Sequence, residues 1–354
     1  MNMKAAVLYE INKPLVIEDI KIPELKIGQV LVKISYSGVC HKQVEDIHGK
    51  SGHDRYLPHL LGHEGAGVVE AIGSGVTHVA QGDHVVLSWI KGAGIDAKPP
   101  IYFKGSKPIN AGYVTTFNEY TVASENRLTK IRKDIPLDKA ALLGCAVPTG
   151  VGAVINESKV ELGSSVAVFG VGGIGLNIIQ GAALVSALKI IAVDIYDHKL
   201  DFARKFGATH VINAKEEDPV EKIKELTDGK GVEYAFESVG CVETMEQAYQ
   251  SACNTGTVNL VGNPRADEKI RINAVQTHYG KCLRGGHGGS TRPERDFPRY
   301  VDLYLAGKLK LDELITHRFP LDKVNDALQL LEKGVVGRAI IDFGVSSSED
   351  DLER

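Results

Sequence analysis

The pattern of apolar and polar positions changes twice along the chain. Up to about residue 146, short runs that alternate apolar and polar positions, such as QVLVKISYSGV and DHVVLSWI, are separated by Gly, Pro, Asn and Asp. Alternation with a period of two over short segments is typical of half-buried β-strands. Helical periodicity is scarce here, so this segment is predicted to form a β-barrel-like domain.

The middle segment, residues 147–287, alternates short β-branched runs with helix-like stretches. Runs such as SSVAVFG and KIIAVDI are apolar without alternation, which indicates strands buried on both faces of a parallel sheet. Stretches between them, such as HKLDFARKFG, have helical spacing. Strands that alternate with helices predict βαβ units and therefore an α/β domain with a doubly wound parallel sheet.

The last segment, residues 288–354, returns to a different character. It holds two amphipathic helical patterns, PERDFPRYVDLYLAGKL and LDKVNDALQLLEKG, followed by a strand-like run, GRAIIDF. The simplest arrangement joins 1–146 and 288–354 into one catalytic domain, with 147–287 inserted as a nucleotide-binding domain. A length of 354 residues also favours two domains over one core.

Composition excludes several classes of function. The formal net charge is −4, so the chain lacks the basic excess that a nucleic-acid-binding protein needs. Its start has no signal-peptide zones, and its longest apolar runs are interrupted before they could span a bilayer. The five cysteines are odd in number and widely spaced, which favours reduced thiols as metal ligands or core residues. We therefore expect a cytoplasmic protein without membrane partners.

A glycine-rich turn predicts the nucleotide site. Gly170, Gly172 and Gly175 in VFGVGGIG have the GxGxxG spacing, which is weak evidence in a chain with 38 glycines. The context makes it specific, because an apolar strand precedes the turn, a helix follows it, and Asp194 ends the next strand. The first glycine permits the tight turn, the second lets the backbone approach a pyrophosphate, and the third lets the helix pack closely. The predicted cofactor contacts of this turn include Gly173 and Ile174.

Asp194 predicts which dinucleotide binds. Its carboxylate would accept hydrogen bonds from the adenosine ribose and repel a 2′-phosphate. Ile195 and Tyr196 follow it without an arginine, so NAD is favoured over NADP. Lys199 lies one helical turn further on, and it either reaches the ribose or is a solvated helix charge.

Three soft metal-ligand residues occur in distinctive surroundings: Cys40 in SYSGVCHKQ, His63 in LLGHEGAGVV and Cys145 in LLGCAVPTGVGA. With twelve histidines and five cysteines, such a trio alone proves little, and the flanking residues carry the signal. These flanks, with VTHVAQGDHVVL, VFGVGGIG, FESVG, LVGNP and GRAIIDF, run in order along nearly the whole chain. In them the sequence resembles the zinc-dependent medium-chain alcohol dehydrogenase family.

The resemblance implies a GroES-like catalytic domain with a β-barrel, together with a Rossmann nucleotide domain. Cys40, His63 and Cys145 would bind one catalytic zinc, with the fourth position open to water or substrate. Zinc would act as a Lewis acid on a small alcohol or carbonyl substrate, and NAD would accept or return the hydride. Glu64 would either approach the metal during ligand exchange or be a buried pair-former.

Further contacts follow from the same resemblance. Trp89 and Phe117 would wall the substrate pocket, although aromatic core packing is an equally good interpretation of each. Thr149 and the backbone of Val261 and Gly262 would line the nicotinamide, and His41 and Arg338 would meet the pyrophosphate. A homodimer or homotetramer joined through the nucleotide domains is expected.

The chain departs from the family in one loop. Many members carry four closely spaced cysteines that bind a structural zinc, but this chain has no cysteine between Cys40 and Cys145. A structural zinc is therefore not expected there. The loop 91–112 carries four lysines among Gly and Pro, and it is either a solvated surface or an attractor of anionic substrates.

A second departure concerns proton transfer. Lys42 and Gln43 stand where the family usually has a hydroxyl residue and Asp, and Glu45 stands where many members have a relay histidine. One hypothesis makes Lys42, poorly hydrated and facing a like charge, the proton acceptor, with Glu45 passing the proton outward. The alternative places Lys42 in solvent or against a cofactor phosphate.

Two other functions stay open at this stage. A zinc-free reductase of the same superfamily is disfavoured by the ligand trio. A dinucleotide-binding structural or regulatory protein with impaired catalysis is supported only by the altered relay residues. Because Lys42 and Glu45 add polar groups near the metal, a polar or polyol-type alcohol is favoured over an aliphatic one.

Overall fold

A computed structural model describes residues 1–50, 52–334 and 337–345. The chain forms two compact units. The first unit comprises Met1–Cys145, Arg292–Gly307 and the described residues from Leu311 onward, and the second comprises Ala146–Thr291 with Lys308–Lys310. Each unit has its own sheets and its own core.

The strands and helices follow one another along the chain with these bounds. The strands are β1 (Asn2–Leu8), β2 (Val16–Lys21), β3 (Gln29–Val39), β4 (His59–Leu60), β5 (Glu64–Ile72), β6 (His84–Ser88), β7 (Ile101–Lys104), β8 (Lys107–Asn110), β9 (Tyr120–Ser124), β10 (Leu128–Lys130), β11 (Ser165–Phe169), β12 (Lys189–Asp194), β13 (His210–Asn213), β14 (Val232–Glu237), β15 (Ala252–Leu260), β16 (Cys282–Gly285), β17 (Ile315–Phe319) and β18 (Arg338–Asp342). The helices are α1 (His41–Ile47), α2 (Leu137–Ala141), α3 (Ala146–Gly152), α4 (Gly173–Leu184), α5 (Asp197–Phe206), α6 (Pro219–Leu226), α7 (Val242–Ser251), α8 (Val275–His278), α9 (Pro293–Leu305) and α10 (Val324–Glu332).

The first unit consists of a small closed barrel and a larger sheet. The barrel closes through β1, β2, β7, β8 and β4. The larger sheet has the order β10-β6-β5-β3-β18-β17, and β9 also pairs with β3. In this sheet β18, from the end of the chain, pairs antiparallel with β3 so that Ala339 lies opposite Val39. This pairing brings the start of β18 beside the end of β3, where Cys40 follows.

The core of the first unit fixes the ends of these strands. Leu8, Val39, Phe117 and Ile341 are fully buried in one apolar cluster, which also receives Leu328 of α10. Burial of side chains of this size stabilises the fold by about 1.5–3 kcal/mol each. The segment from β3 into α1 is therefore held by packing on both sides of Cys40.

The second unit is built on a six-stranded parallel sheet. Its strand order is β13-β12-β11-β14-β15-β16, and every neighbouring pair is parallel. The strands that read as continuous apolar runs are buried, as in β11, where Val166, Val168 and Phe169 are fully buried. The strand order reverses between β11 and β14, and dinucleotides bind at such a switch point, outside the carboxyl ends of the strands. The expected α/β fold is confirmed: one domain contains a β-barrel, and the other contains a doubly wound parallel sheet.

The helices are short. The longest described ones are α4, with 12 residues, and α9, with 13. No single described helix is long and apolar enough to cross a membrane, although the bent pair 137–144 and 146–158 meets the length and composition required when its members are taken together.

Candidate metal centre and dinucleotide site

Three potential metal ligands converge in the first unit. Cys40 lies at the N-terminus of α1, His63 directly precedes β5, and Cys145 follows a short 3-10 helix at 142–144. One ligand atom from each residue lies within 4.8 Å of the others. Residues that are far apart in sequence therefore form one cluster, because the ends of β3 and the start of β5 lie in the same sheet.

The chemistry of the cluster fits a soft metal ion such as zinc. The Nε2 atom of His63 is buried and has no hydrogen-bond partner among the described residues. The pKa of Cys40 is well below its usual value, chiefly because of its hydrogen bond with Cys145, with further lowering by His63 and Arg338 and with burial acting in the opposite sense. Thiolates and a neutral imidazole are the ligands zinc prefers. Trp89 donates from Nε1 to the Sγ atom of Cys145 over 3.3 Å.

Gln43 supports two of these ligands at once. Its side chain is 1% exposed, and its Nε2 atom lies 2.5 Å from Nδ1 of His63. Its Oε1 atom accepts a hydrogen bond of 2.9 Å from the backbone N–H of Cys40. Because Nδ1 is taken by Gln43, Nε2 is the nitrogen that remains for a metal. Outer contacts of this kind fix the ring of a metal-binding histidine.

Glu64, beside His63, is buried and forms an ion pair with Arg338. It is 0% exposed, and its Oε1 atom accepts a hydrogen bond from Nη2 of Arg338. A Cβ atom added at Gly38 would lie 2.6 Å from the Glu64 carboxyl carbon, so a larger residue there would displace the Glu64 side chain. The Oε2 atom has no hydrogen-bond partner within the described chain. Arg338, which begins β18, binds Glu64 in this structure, and its contact with a pyrophosphate stays a prediction.

In the structure, Lys42 does not have the environment that the proton-acceptor hypothesis requires. Its Nζ atom forms an ion pair with Asp46 one helical turn further on, and its side chain is 40% exposed. The hypothesis of a proton acceptor required poor hydration and a like charge, so the geometry favours the solvent-facing alternative. Glu45 accepts a hydrogen bond of 2.7 Å from Lys50. His41 is exposed at the start of α1.

The two aromatic residues predicted for the substrate pocket differ. Phe117 is 0% exposed in the core of the first unit, which favours the packing interpretation for this residue. Trp89 lies beside the metal cluster through its contact with Cys145. A cleft of about 690 Å³ within the first unit reaches Gln43 and His63.

The walls of this cleft come largely from loops for which the sequence predicted no role in the site. Tyr56 and Tyr113 line it with 56% and 48% of their surface exposed. Polar groups line it as well: His53, Asp54, Arg55, His59 and Asn110. In the sequence, the sign of this cleft is the presence of aromatic residues in loops rich in Gly and Pro. This sign is weak.

The lysine-rich loop of 91–112 contributes surface ion pairs. Lys91 pairs with Asp96, and Lys104 pairs with Glu18. Such exposed pairs contribute little to stability, and they neutralise the loop charge locally. This geometry favours the solvated interpretation of the loop over attraction of an anionic substrate.

The glycine turn of the second unit has the geometry of a dinucleotide cradle. Gly170 has φ +89°, in the left-handed region, and a Cβ atom at Gly175 would lie 1.9 Å from the carbonyl oxygen of Gly170. At Gly172 a Cβ atom would meet open space, which leaves room for a ligand. The helix α4 begins at Gly173, followed by Ile174, without a side-chain cap. Its first amides are therefore available to a phosphate.

Asp194 is fixed at the carboxyl end of β12. Its Oδ2 atom accepts from the N–H of Val171 over 2.8 Å, and its Oδ1 atom accepts from the N–H of Ile195 over 2.8 Å. Lys199, in the first turn of α5, holds its Nζ atom 4.9 Å from the ring centre of Tyr196. The carboxylate is thus presented where a ribose is expected.

Of the residues predicted to line the nicotinamide, Thr149 has a side chain available to a ligand, and the N–H groups of Val261 and Gly262 are engaged within the protein. The Oγ1 atom of Thr149 is buried and has no hydrogen-bond partner among the described residues. The backbone N–H groups of Val261 and Gly262 donate to the carbonyl of Glu237.

Glu237 is a structural residue that the sequence analysis missed. It is 0% exposed, and one carboxylate oxygen accepts from the N–H of Val239, the N–H of Gly240 and the hydroxyl of Thr244. Burial raises the pKa of this carboxyl, although these donors act in the opposite sense. Glu237 therefore holds the loop after β14 against the glycine turn, where a Cβ atom at Gly170 would touch Val239.

A cluster of two thiols and an imidazole, with a separate dinucleotide-type sheet, defines a metal-dependent dehydrogenase. Comparison with known proteins agrees with this class. The chain matches the family models for the alcohol dehydrogenase GroES-like domain over residues 26–133 and for zinc-binding dehydrogenases over residues 173–306. It is 38% identical to an alcohol dehydrogenase class-3 of Zea mays, with 96% of each chain covered, and 37% identical to one of Drosophila melanogaster, with 96% of this chain and 97% of the relative covered.

Solved structures agree in fold. An alcohol dehydrogenase zinc-binding domain protein from Burkholderia ambifaria superposes with a TM-score of 0.90 at 33% identity, with 97% of this chain and 99% of the other covered. The benzyl alcohol dehydrogenase of Acinetobacter calcoaceticus superposes with a TM-score of 0.89 at 33% identity and the same coverage. The chain belongs to the zinc-dependent medium-chain alcohol dehydrogenase family, as the sequence motifs indicated.

The position of Gln43 leads to a test of metal affinity. The Gln43→Ala variant leaves Nδ1 of His63 and the N–H of Cys40 without this partner, so we expect zinc affinity to fall about 10-fold to 100-fold. Competition with a chromophoric chelator measures the dissociation constant. The Gln329→Ala variant, which changes an exposed glutamine of α10, serves as the control. Equal zinc affinity of wild type and Gln43→Ala would show that Gln43 does not support the ligands.

Proposed function

We propose that the chain oxidises a small alcohol to an aldehyde or ketone with NAD, and reduces the carbonyl in reverse, at one zinc ion held by Cys40, His63 and Cys145. Membership of the family makes it an NAD-dependent, zinc-dependent alcohol dehydrogenase. The observation that carries the assignment to these residues is their convergence within 4.8 Å around a buried imidazole nitrogen that has no hydrogen-bond partner among the described residues.

When bound, zinc supplies a Lewis acid that favours loss of the alcohol proton, and NAD supplies the hydride acceptor. Cys40 provides a thiolate because its pKa is lowered by its neighbours. Gln43 orients His63, and the indole N–H of Trp89 holds the sulfur of Cys145. The cleft that His63 and Gln43 line receives the substrate.

The residues of the second unit hold the cofactor in this proposal. The amides at the start of α4 bind the pyrophosphate, Asp194 binds the adenosine ribose, and Thr149 with Val261 and Gly262 lines the nicotinamide. His41 and Arg338 remain assigned to the pyrophosphate. This assignment is supported by the open space at Gly172 and by the unpaired hydroxyl of Thr149.

We propose no hydroxyl-to-histidine relay for this chain, because Lys42 and Glu45 occupy the positions where the family usually has those residues. Because Lys42 pairs with Asp46 at the surface, we assign Lys42 to the solvated alternative. Glu64 is assigned the role of buried support for the metal centre, since it is paired with Arg338.

The substrate proposed is a polar or hydroxylated alcohol. The cleft combines the two tyrosines with polar groups such as Arg55 and Asn110, which can donate hydrogen bonds to a hydroxylated ligand. We further propose that zinc is limited to the catalytic site, because the 41–144 segment contains no cysteine for a thiolate cage. Thiolate ligands also suit a reducing compartment, so we propose a cytoplasmic location.

The alternatives of a zinc-free reductase and of a catalytically impaired NAD-binding protein are separated from this proposal by the Cys145→Ser variant. We expect wild-type protein to hold about one zinc per chain and to form NADH from alcohols. The variant loses a soft ligand, so zinc content should fall and kcat/KM should drop by about 10³-fold, in line with several kcal/mol of lost charge stabilisation. Metal analysis and NADH absorbance measure the two effects.

The control is Cys282→Ser, which changes an exposed thiol of the second unit. It should match the wild type in zinc content and in turnover. Zinc-free wild-type protein with full activity would contradict the metal assignment, and zinc-loaded protein without activity on any alcohol would favour the impaired alternative.

A homodimer or homotetramer is proposed on the basis of the exposed edge of the second unit. The strand β16 ends the parallel sheet, and Val275 and Tyr279 of the adjoining segment are 57% and 67% exposed. Edge strands and exposed apolar side chains together favour self-association. Light scattering should give two or four times the chain mass of 38.2 kDa, and a mass of 38.2 kDa at micromolar concentration would contradict this proposal.

A further inference from the structure

Two lysines from different segments of the second unit meet over one tyrosine ring. The Nζ atoms of Lys199 and Lys215 lie 4.9 Å and 4.8 Å from the ring centre of Tyr196. Lys199 belongs to the first turn of α5, and Lys215 lies in the turn that follows β13. They converge because β12 and β13 are parallel neighbours, with Asp194 opposite Asn213, so that both strands end at the same edge.

Tyr196 is held directly beside the ribose-binding carboxylate. Its backbone N–H donates to Oδ1 of Asp194 over 3.2 Å, and its side chain is 37% exposed. The two ammonium groups therefore stand close to the position at which a dinucleotide presents the 2′-position of its adenosine ribose. This argument rests on the proposed function, because it requires a dinucleotide at the site of the second unit.

Neither ammonium group of this cluster is paired with a carboxylate at 4.0 Å or less in the described part of the chain. The nearby Asp197 is engaged by the side-chain amide of Asn213 over 2.7 Å. The carboxylate of Asp194 accepts three backbone N–H groups, from Val171, Ile195 and Tyr196, which partly offset its charge.

We propose that Lys199 and Lys215 form a subsite for a 2′-phosphate, so that the chain binds NADP(H) in addition to NAD(H). Lysine ammonium groups bind phosphate as point charges. The expectation that NAD is favoured over NADP considered only Asp194 and the residues that directly follow it. Lys215 lies 21 positions beyond Asp194 in sequence, and only the parallel pairing of β12 and β13 brings it to the same ring.

Asp194 and the lysines act in opposite directions on a 2′-phosphate. The carboxylate disfavours it, and the two cations favour it, so NADPH should bind more weakly than NADH but by only about tenfold. The 2′-hydroxyl of NADH keeps its hydrogen bond to Asp194. The lysines are therefore expected to affect the affinity for NADPH and not the affinity for dinucleotides in general.

Titration calorimetry tests the proposal on the full-length protein, with NADH, NADPH, adenosine 2′,5′-bisphosphate and AMP as ligands. The Lys215→Gln variant should lower the affinity for NADPH and for the bisphosphate by about tenfold, the loss expected for one charge-assisted contact. It should change the dissociation constants of NADH and AMP less than twofold. The Lys215→Arg variant should keep wild-type affinity for NADPH, because it retains the charge.

The Lys205→Gln variant is the matched control. Lys205 also lies on α5 and also stands over a ring, at 5.6 Å from the ring centre of Phe202, but it is outside the proposed subsite. It should leave all four dissociation constants unchanged. Because these lysines are at the surface, the variants are expected to fold, and thermal unfolding checks this.

Equal weakening of NADH and NADPH in Lys215→Gln would overturn the subsite. So would wild-type protein that binds NADH and does not bind NADPH; in both cases the proposed function would stand. Failure of the wild type to bind either dinucleotide would overturn the proposed function together with the subsite.

Discussion

The first unit brings three possible metal ligands together, and one of them, Nε2 of His63, has no hydrogen-bond partner among the described residues. A buried polar group without a partner costs about 1–3 kcal/mol, and a buried charge costs more. Nε2 of His63 is in this state among the described residues, and two cysteine sulfurs lie within 4.8 Å of the ligand nitrogen. In the proposed assignment, a zinc ion would remove this cost and would join the end of β3, the start of β5 and the 3-10 helix before Cys145.

The residues around the cluster hold its ligands in position. Gln43 connects His63 with the backbone of Cys40, and Glu64 is enclosed by glycines and paired with Arg338. Arg338 comes from the last described strand, so the metal centre draws on both ends of the chain. The buried pair of Glu64 and Arg338 is costly to break from one side only, because the remaining charge would be left uncompensated. The proposed metal centre and the sheet of the first unit would therefore stabilise each other.

Much of this organisation could be predicted from the sequence. Apolar runs without alternation indicated the parallel sheet, and GxGxxG followed by Asp194 indicated the cradle, since both are local patterns tied to backbone geometry. The family assignment and the fold class are confirmed. The contact of Gln43 with His63 and the approach of Lys215 to Tyr196 could not be predicted, because each depends on which strands are neighbours. The local contacts of Glu237 were missed because they require a loop geometry that no motif specified.

Residues with two plausible environments were the least predictable. Phe117 fits an aromatic pocket wall and a core position equally well by type, and only tertiary packing places it in the core. Lys42 is close in sequence to Cys40, yet the geometry of α1 pairs it with Asp46 instead of a like charge. Side-chain direction, which a linear motif does not encode, decided both cases.

The central claim is that Cys40, His63 and Cys145 are the protein ligands of one zinc ion. X-ray absorption at the zinc K-edge of zinc-loaded protein tests it most directly, because it counts sulfur and nitrogen neighbours. The account predicts two sulfur neighbours at about 2.3 Å and two lighter neighbours, one of them imidazole, at about 2.0–2.2 Å. A shell of four sulfurs, or one of nitrogen and oxygen alone, would contradict it.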